Sequence, residues 1–133
     1  MLKKEQICTI NFINWIRENY PLLEDSTIHI ANERKCSVIE GRILKRMGVK
    51  KNVADLLIAY SRHSKGGLWI EIKIEKNKPT DGQKRFLENM VRNNFAAACC
   101  WGLEACIQVL TIYLTYNSND GYFDNVLYIK NDY

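Results

Sequence analysis

The chain has 133 residues, of which 47% are hydrophobic and 26% charged, with only two prolines and a net charge of +4. This composition is typical of one globular domain and excludes disordered and fibrous proteins. No apolar run approaches the roughly 18 residues of a membrane span, and no N-terminal leader resembles a signal peptide, so we expect a cytoplasmic protein without a membrane partner.

The first third of the chain predicts two helices around a short strand. Apolar residues recur at helical spacing in residues 3–19, and Pro21 ends that stretch. Residues 27–31 are typical of a short strand. Residues 37–47 predict a basic helix, with Gly48 placed to end it in a left-handed conformation.

The centre of the chain predicts an antiparallel hairpin followed by a helix. Residues 53–60 and 68–74 are apolar runs separated by a polar loop that contains glycine. Residues 81–93 predict a helix, because Thr80 and Gln83 match a capping box at its start.

The last part of the chain predicts a buried strand over residues 95–101 and a closing helix over residues 102–116. The tail is polar except for an apolar group at residues 126–129, which we interpret as either an extra strand or a partner contact. Together the elements predict an α/β fold with a mixed central sheet flanked by helices.

The cysteines show no metal-binding pattern. None of the five forms a Cys-x-x-Cys pair or has a histidine at zinc-site distance. We expect reduced, mostly buried thiols.

Positive charge is concentrated just before the hairpin. Residues 34–51 contain seven basic residues and one acid, Glu40. Such a cluster is typical of a surface that binds a phosphate backbone, although a solvated helix face gives the same pattern. The candidate nucleic-acid contacts are Arg34, Arg42, Lys45, Lys50 and Lys51, with Arg62 in the hairpin loop.

Three charged residues interrupt the apolar runs of the hairpin. Asp55 lies in the first run, and Glu71 and Lys73 lie in the second. The i, i+2 spacing of Glu71 and Lys73 places both side chains on one face of the strand. If the loop closes as expected, Asp55 is opposite Ile72 or Lys73, within cross-strand reach of both charges.

This arrangement favours a metal-dependent hydrolase. Two carboxylates at this range can share a hard divalent cation, and the carbonyl of Ile72 can supply a third oxygen. Lys73 can stabilise developing negative charge on a phosphate. The alternative is structural: a buried ion-pair network, or the polar outer face of a half-exposed sheet.

The ordered motifs of the chain also resemble a known family. Asp…Glu-x-Lys on a hairpin followed by a helix resembles the PD-(D/E)XK nuclease superfamily, and within it the VRR-NUC group with its small stand-alone phage and bacterial members. The likeness covers roughly residues 3–115. The residues that carry it are Glu5, His29-Ile30-Ala31-Asn32, Gly48-Val49 with Asp55-Leu56-Leu57, Gly67-Leu68-Trp69-Ile70-Glu71-Ile72-Lys73, Thr80 with Gln83, and Glu104-Ala105.

The resemblance implies a restriction-endonuclease-like core over residues 1–116, with residues 117–133 as a C-terminal extension. It implies a nuclease that uses Mg²⁺ or Mn²⁺, held by Asp55, Glu71 and the carbonyl of Ile72. Lys73 would position the nucleophile.

The resemblance gives supporting roles to two further residues. Glu5 would assist placement of the metal or water, and Gln83 would contact the site from the following helix. Each has a simpler explanation, because an acid is favoured near a helix start and the capping box alone accounts for Gln83.

Stand-alone members of the group resemble Holliday-junction resolvases and act as homodimers. The resemblance therefore implies branched or junction-containing DNA as the substrate, a homodimer, no small-molecule cofactor, and the cytosol of a bacterium or a phage-infected host. Two other functions stay open: a non-catalytic nucleic-acid-binding module on the same fold, and a small structural or interaction protein. Retention of both acids and the lysine favours the enzyme.

Overall fold

The computed structural model of the protein describes residues 1–31 and 36–130. A 3₁₀ helix that the sequence did not predict, Pro21–Ser26, follows the first helix. The other helices and strands, in chain order, are α1 (Lys4–Asn19), β1 (Thr27–His29), α2 (Val38–Arg46), β2 (Leu56–Ile58), β3 (Leu68–Lys73), α3 (Asp81–Arg92), β4 (Ala96–Trp101), α4 (Leu103–Thr115) and β5 (Leu127–Lys130).

The strands form one mixed five-stranded sheet in the order β1-β2-β3-β4-β5. Strands β1, β2 and β3 are antiparallel neighbours, whereas β3, β4 and β5 run parallel. The predicted α/β fold with a mixed sheet is confirmed, and the apolar group of the tail is a strand of that sheet.

Helices cover both faces of the sheet. On one face, Leu68, Ile70 and Ile72 belong to the main core, together with buried residues of α1 and α4. On the other face, residues of β4 pack under Leu87 of α3, and Trp69 joins them. This alternation along β3 confirms that Glu71 lies on the α3 face of the sheet.

The register of the hairpin differs from the sequence-based expectation. Leu56 is opposite Ile70, so continuing the pairing by one residue places Asp55 opposite Glu71, rather than one or two residues further along β3. Directly opposed residues project to the same face. Carboxylate oxygens of Asp55 and Glu71 accordingly lie within 4.8 Å of each other.

Strand β2 is also shorter than the predicted run of residues 53–60. Asp55 Oδ2 accepts a hydrogen bond from the backbone N–H of Ile72 at 2.7 Å. The backbone carbonyl of Asp55 points the other way, because it accepts from the N–H of Ile30 at 2.8 Å. The Asp55 side chain thus takes the N–H of Ile72 that a backbone carbonyl would otherwise accept. The hydrogen-bond ladder between β2 and β3 therefore stops before Asp55.

Helix α2 projects its side chains into solvent. The Ser37 side chain accepts from the N–H of Glu40 and caps the helix, which has no buried residue. Gly48 follows with φ +92°, a left-handed conformation that favours glycine, so the predicted end of the helix is confirmed.

All five cysteines are free thiols, and four of them are buried while Cys36 is exposed. Within residues 1–31 and 36–130, no helix combines the length and apolar character that crossing a membrane requires.

Candidate active site

The three interrupting charges line a cleft of about 900 Å³ at one end of the hairpin. Its walls come from the first turns of α1, the end of β1, the segment before β2, the end of β3 and the start of α3. The lining residues are Leu2, Lys3, Glu5, Gln6, Thr9, Ile10, His29, Ile30, Ala31, Asn52, Val53, Asp55, Glu71, Lys73 and Gln83.

Glu71 lies at the floor of this cleft. It is 2% exposed and is the one buried charged residue in the part of the chain that the structure describes. Lys73 Nζ lies 3.5 Å from Glu71 Oε2, and the lysine side chain is 12% exposed. The ammonium therefore faces both the buried carboxylate and the cleft.

Glu5 brings a third carboxylate to the same place. Carboxylate oxygens of Glu5, Asp55 and Glu71 all lie within 4.8 Å of one another. Glu5 sits in the first turn of α1, and α1 packs against β3. Tertiary packing thus joins a residue from the start of the chain to the hairpin pair.

Crowding of buried acids raises their pKa values. Burial raises the pKa of Glu71, and the neighbouring Asp55 charge raises it further, whereas Lys73 opposes both effects. Burial also raises the pKa of Asp55, against the hydrogen bond from the Ile72 N–H and the nearby Lys73 charge. Without a cation, the pair therefore favours holding a proton.

The donor set fits a hard divalent cation. Glu5, Asp55 and Glu71 offer only oxygen ligands, which Mg²⁺ and Mn²⁺ prefer. In a strand, the N–H and C=O of one residue point to the same side. Because the N–H of Ile72 points to Asp55, its carbonyl points to that side as well. The arrangement therefore holds carboxyl groups close together. A bound cation would compensate the negative charge that is otherwise unfavourable there.

Comparison with solved structures identifies a match to this fold. A structure of a "VRR_NUC domain protein" matches with a TM-score of 0.73 and 28% sequence identity, over 86% of this chain and 90% of that chain. This chain shares the fold of that VRR_NUC domain protein. The resemblance indicated by the sequence motifs is thereby confirmed as a structural match. No protein-family model and no curated protein sequence matches the chain.

Within this shared fold, Gln83 both caps α3 and lines the cleft. Its side-chain oxygen accepts from the N–H of Thr80 at 2.9 Å, and its own N–H donates to Thr80 Oγ1 at 3.1 Å. The predicted capping box is confirmed. Among the described residues the amide NH₂ of Gln83 forms no hydrogen bond, so it can donate beside the cleft.

Helix α3 also fixes the wall of the cleft through Asn52. A Cβ on Gly82 would clash with Asn52 Nδ2, so the absence of a side chain at Gly82 lets the Asn52 side chain pack on the first turn of α3. Asn52 has φ +67°, in the left-handed region that asparagine tolerates better than most residues. The sequence signal for this close approach was the glycine in the first turn of a capped helix.

Other cleft residues were missed by the sequence analysis because they come together only in three dimensions. Gln6 and Thr9 of α1 line the cleft, together with Lys3 just before that helix. His29, which the sequence motif included without a role at the site, lines the cleft from β1. A positive charge at His29 would lower the pKa of Asp55, as the smallest of the effects on that carboxyl. The HIAN motif was the sequence signal for this histidine.

The predicted basic contacts lie outside the cleft. Arg42, Lys45, Lys50 and Lys51 are exposed on α2 and the segment after it. Arg34 lies outside the described residues.

Arg62 is placed at the opposite end of the hairpin from the acids. Its guanidinium donates to the backbone carbonyls of Tyr113 and Tyr116 and lies 5.2 Å from the centre of the Tyr116 ring. The structure therefore gives Arg62 contacts to the end of α4 and does not bring it to the cleft.

Proposed function

We propose that this protein is a metal-dependent, structure-selective DNA endonuclease that hydrolyses phosphodiester bonds. The observation that supports the proposal is the cluster of Glu5, Asp55 and Glu71 oxygens within 4.8 Å, beside Lys73 in an open cleft. The neighbour that is a VRR_NUC domain protein supports the same class of reaction.

Asp55, Glu71 and the carbonyl of Ile72 would hold the cation. A bound Mg²⁺ or Mn²⁺ would neutralise charge on the phosphate and lower the pKa of a bound water. The Ile72 N–H already fixes one carboxylate oxygen of Asp55, so the second oxygen remains for a ligand. The acid is therefore oriented before the cation binds.

Lys73 would position the nucleophile and stabilise the negative charge of the transition state. Its partner Glu71 would turn toward the cation, which leaves the ammonium to donate to water or to a phosphate oxygen. Its side chain reaches the cleft while remaining largely shielded from solvent, which strengthens its electrostatic effect.

Glu5 and Gln83 would complete the cleft from α1 and α3. The Glu5 carboxylate is close enough to the other two acids to share the cation or to orient a water that the cation holds. The Gln83 amide would donate to the attacking water or to a phosphate oxygen.

The substrate would be branched DNA, bound by a homodimer. Two sites in a symmetric pair would cut the two strands of a junction, because a two-fold assembly matches a two-fold substrate. The exposed basic residues of α2 and its following segment would neutralise phosphates outside the cleft.

The test is cleavage of a four-way junction and a linear duplex of the same sequence with Mg²⁺. We expect the wild type to cut the junction faster. Asp55→Ala and Lys73→Ala should each lose about 100-fold or more in rate. Lys65→Ala removes the same side chain type at the far end of the hairpin and should retain the wild-type rate.

Activity that survives in both site variants would remove the proposed centre. Equal cleavage of both substrates would leave the nuclease but remove its structure selectivity. Tight DNA binding without cleavage and without thermal stabilisation by Mg²⁺ would instead support a non-catalytic nucleic-acid-binding module.

A further inference from the structure

The last strand places a row of side chains beside the catalytic lysine. Lys73 of β3 is opposite Trp101 of β4, and Trp101 is opposite Lys130 of β5. Directly opposed residues on neighbouring strands share one face of the sheet. Lys73, Trp101 and Lys130 therefore form a row on the face of the sheet that α3 covers. The row runs from the cleft to the edge of the sheet at β5.

Trp101 is the buried residue at the centre of this row. The indole is 4% exposed, and its Nε1–H donates to the carbonyl of Asn77 at 2.8 Å. Lys130 Nζ lies 4.6 Å from the centre of the indole ring, in a cation–π contact. The ring thus supports the Lys130 ammonium while the residue remains exposed.

The loop between β3 and α3 adds two more positive charges at this place. Lys76 and Lys78 flank Asn77, whose carbonyl is bound to Trp101, and both are exposed. The acid of this loop, Glu75, is already paired with Lys4. Within the described ranges, Lys76, Lys78 and Lys130 form no salt bridge.

Strand β5 presents its outer face in the same direction. Leu127 and Ile129 pack on the main core, so Tyr128 and Lys130 project to the opposite face. Tyr128 is 45% exposed and lies beside the Trp101 ring at 6.4 Å between centroids. We define the edge strip as Lys76, Lys78, Tyr128 and Lys130.

We infer that the edge strip binds the phosphate backbone of the DNA on one side of the cleaved bond. The inference rests on the proposed function, because it takes Lys73 as the point of cleavage. Two strand spacings separate the backbones of Lys73 and Lys130, about 10 Å. Lys130 would therefore contact a phosphate within a few nucleotides of the scissile bond.

The charge of the edge strip favours DNA over a second copy of the chain. A two-fold contact would bring the same lysines of both copies together, and like charges oppose that contact. A phosphate backbone is complementary to three exposed ammonium groups, and the half-exposed Tyr128 ring offers a surface for a sugar or base.

The experiment measures binding of a labelled linear duplex in metal-free buffer, in an Asp55→Asn background so that cleavage cannot consume the probe. Lys130→Gln and the pair Lys76→Gln/Lys78→Gln are compared with Lys65→Gln, which removes the same charge at the far end of the hairpin. Thermal melting and light scattering verify folding and oligomeric state.

We expect Lys130→Gln to raise Kd roughly five- to tenfold at 0.1 M salt. The slope of log K against log salt should become shallower by about 0.9 for each phosphate that the variant no longer neutralises. Lys65→Gln should bind like the parent. The inference is overturned if the parent does not bind, if the strip variants match Lys65→Gln, or if they change the oligomeric state.

These results separate the edge strip from the nuclease proposal. Cleavage that requires Asp55 and Lys73, with wild-type binding by the strip variants, overturns only the strip. Weakened binding by those variants without any cleavage by the wild type supports the strip as a DNA surface and removes the catalytic proposal.

Discussion

Glu71 is a buried acid whose environment disfavours its charge when no cation is present. It faces the neighbouring carboxyl groups of Asp55 and Glu5 and gains one partial compensation, the Lys73 ammonium at 3.5 Å. Such a carboxylate is expected to lower the stability of the cation-free fold. On the proposed function, this loss of stability would accompany the capacity to bind a cation.

A charge-removing substitution tests this at the residue scale. The pKa of Glu71 is about 8 in the folded protein, above the ordinary value of 4.5. Between pH 4.5 and pH 8 the folded state therefore binds more protons than the unfolded state. The free energy of unfolding should therefore fall as pH rises through this window. We expect Glu71→Gln to raise the free energy of unfolding by roughly 1–2 kcal/mol at pH 8 and to change it little at pH 5.

Thermal or urea denaturation in metal-free buffer at both pH values measures this difference. Glu88→Gln makes the same chemical change at an exposed position of α3 and serves as the matched control. A loss of stability in Glu71→Gln at pH 8 would show instead that the ion pair with Lys73 holds the fold together. The variant should also lose thermal stabilisation by Mg²⁺.

At the element scale, α3 combines structural and site roles in one residue. Gln83 closes the capping box with Thr80 and also lines the cleft. Thr80 forms the other half of the same cap but is not a lining residue of the cleft. Variants of Thr80 and Gln83 can therefore distinguish the effect of the helix cap from the effect on the cleft.

We expect Thr80→Ala and Gln83→Ala each to cost about 1 kcal/mol of stability. Gln83→Ala should lower the cleavage rate further, by about tenfold, because it also removes a donor from the cleft. Denaturation curves and single-turnover cleavage measure the two effects. Equal rates in both variants, at equal stability, would reduce Gln83 to a helix cap.

Several elements could be predicted because their determinants are local. The capping box fixed the start of α3, the positive-φ Gly48 ended α2, and the apolar run from Ala96 to Trp101 identified a fully buried strand. The length of β2 could not be predicted. A side chain, Asp55, takes the hydrogen bond that would have continued the ladder, and no periodicity encodes this exchange.

The same distinction between local and tertiary determinants applies to the site. The i, i+2 spacing placed Glu71 and Lys73 on one face from sequence alone. The approach of Glu5 to them depends on how α1 packs across the sheet, and the sequence pattern contains no such distance. The resemblance named Glu5, and the packing of α1 brought it to the acids.

At the scale of the whole molecule, exposed basic residues are found on the edge strip and on the face of α2 with its following segment. The chain carries a net charge of only +4, so the distribution of charge matters more than its sum for binding a polyanion. Each surface should therefore contribute its own part of the salt dependence of DNA binding.

Replacing Arg42, Lys45, Lys50 and Lys51 together with glutamine tests the α2 surface. All four are exposed, so we expect the fold to be retained while the slope of log K against log salt becomes shallower by about 0.9 for each residue that contacts a phosphate. Fluorescence anisotropy across a salt series measures this slope. A variant with arginine at the three lysines keeps the charge and should keep the parental slope. If the glutamine variant retained that slope too, the α2 charges would be a solvated helix face, and DNA would have to be held by the cleft and the edge strip.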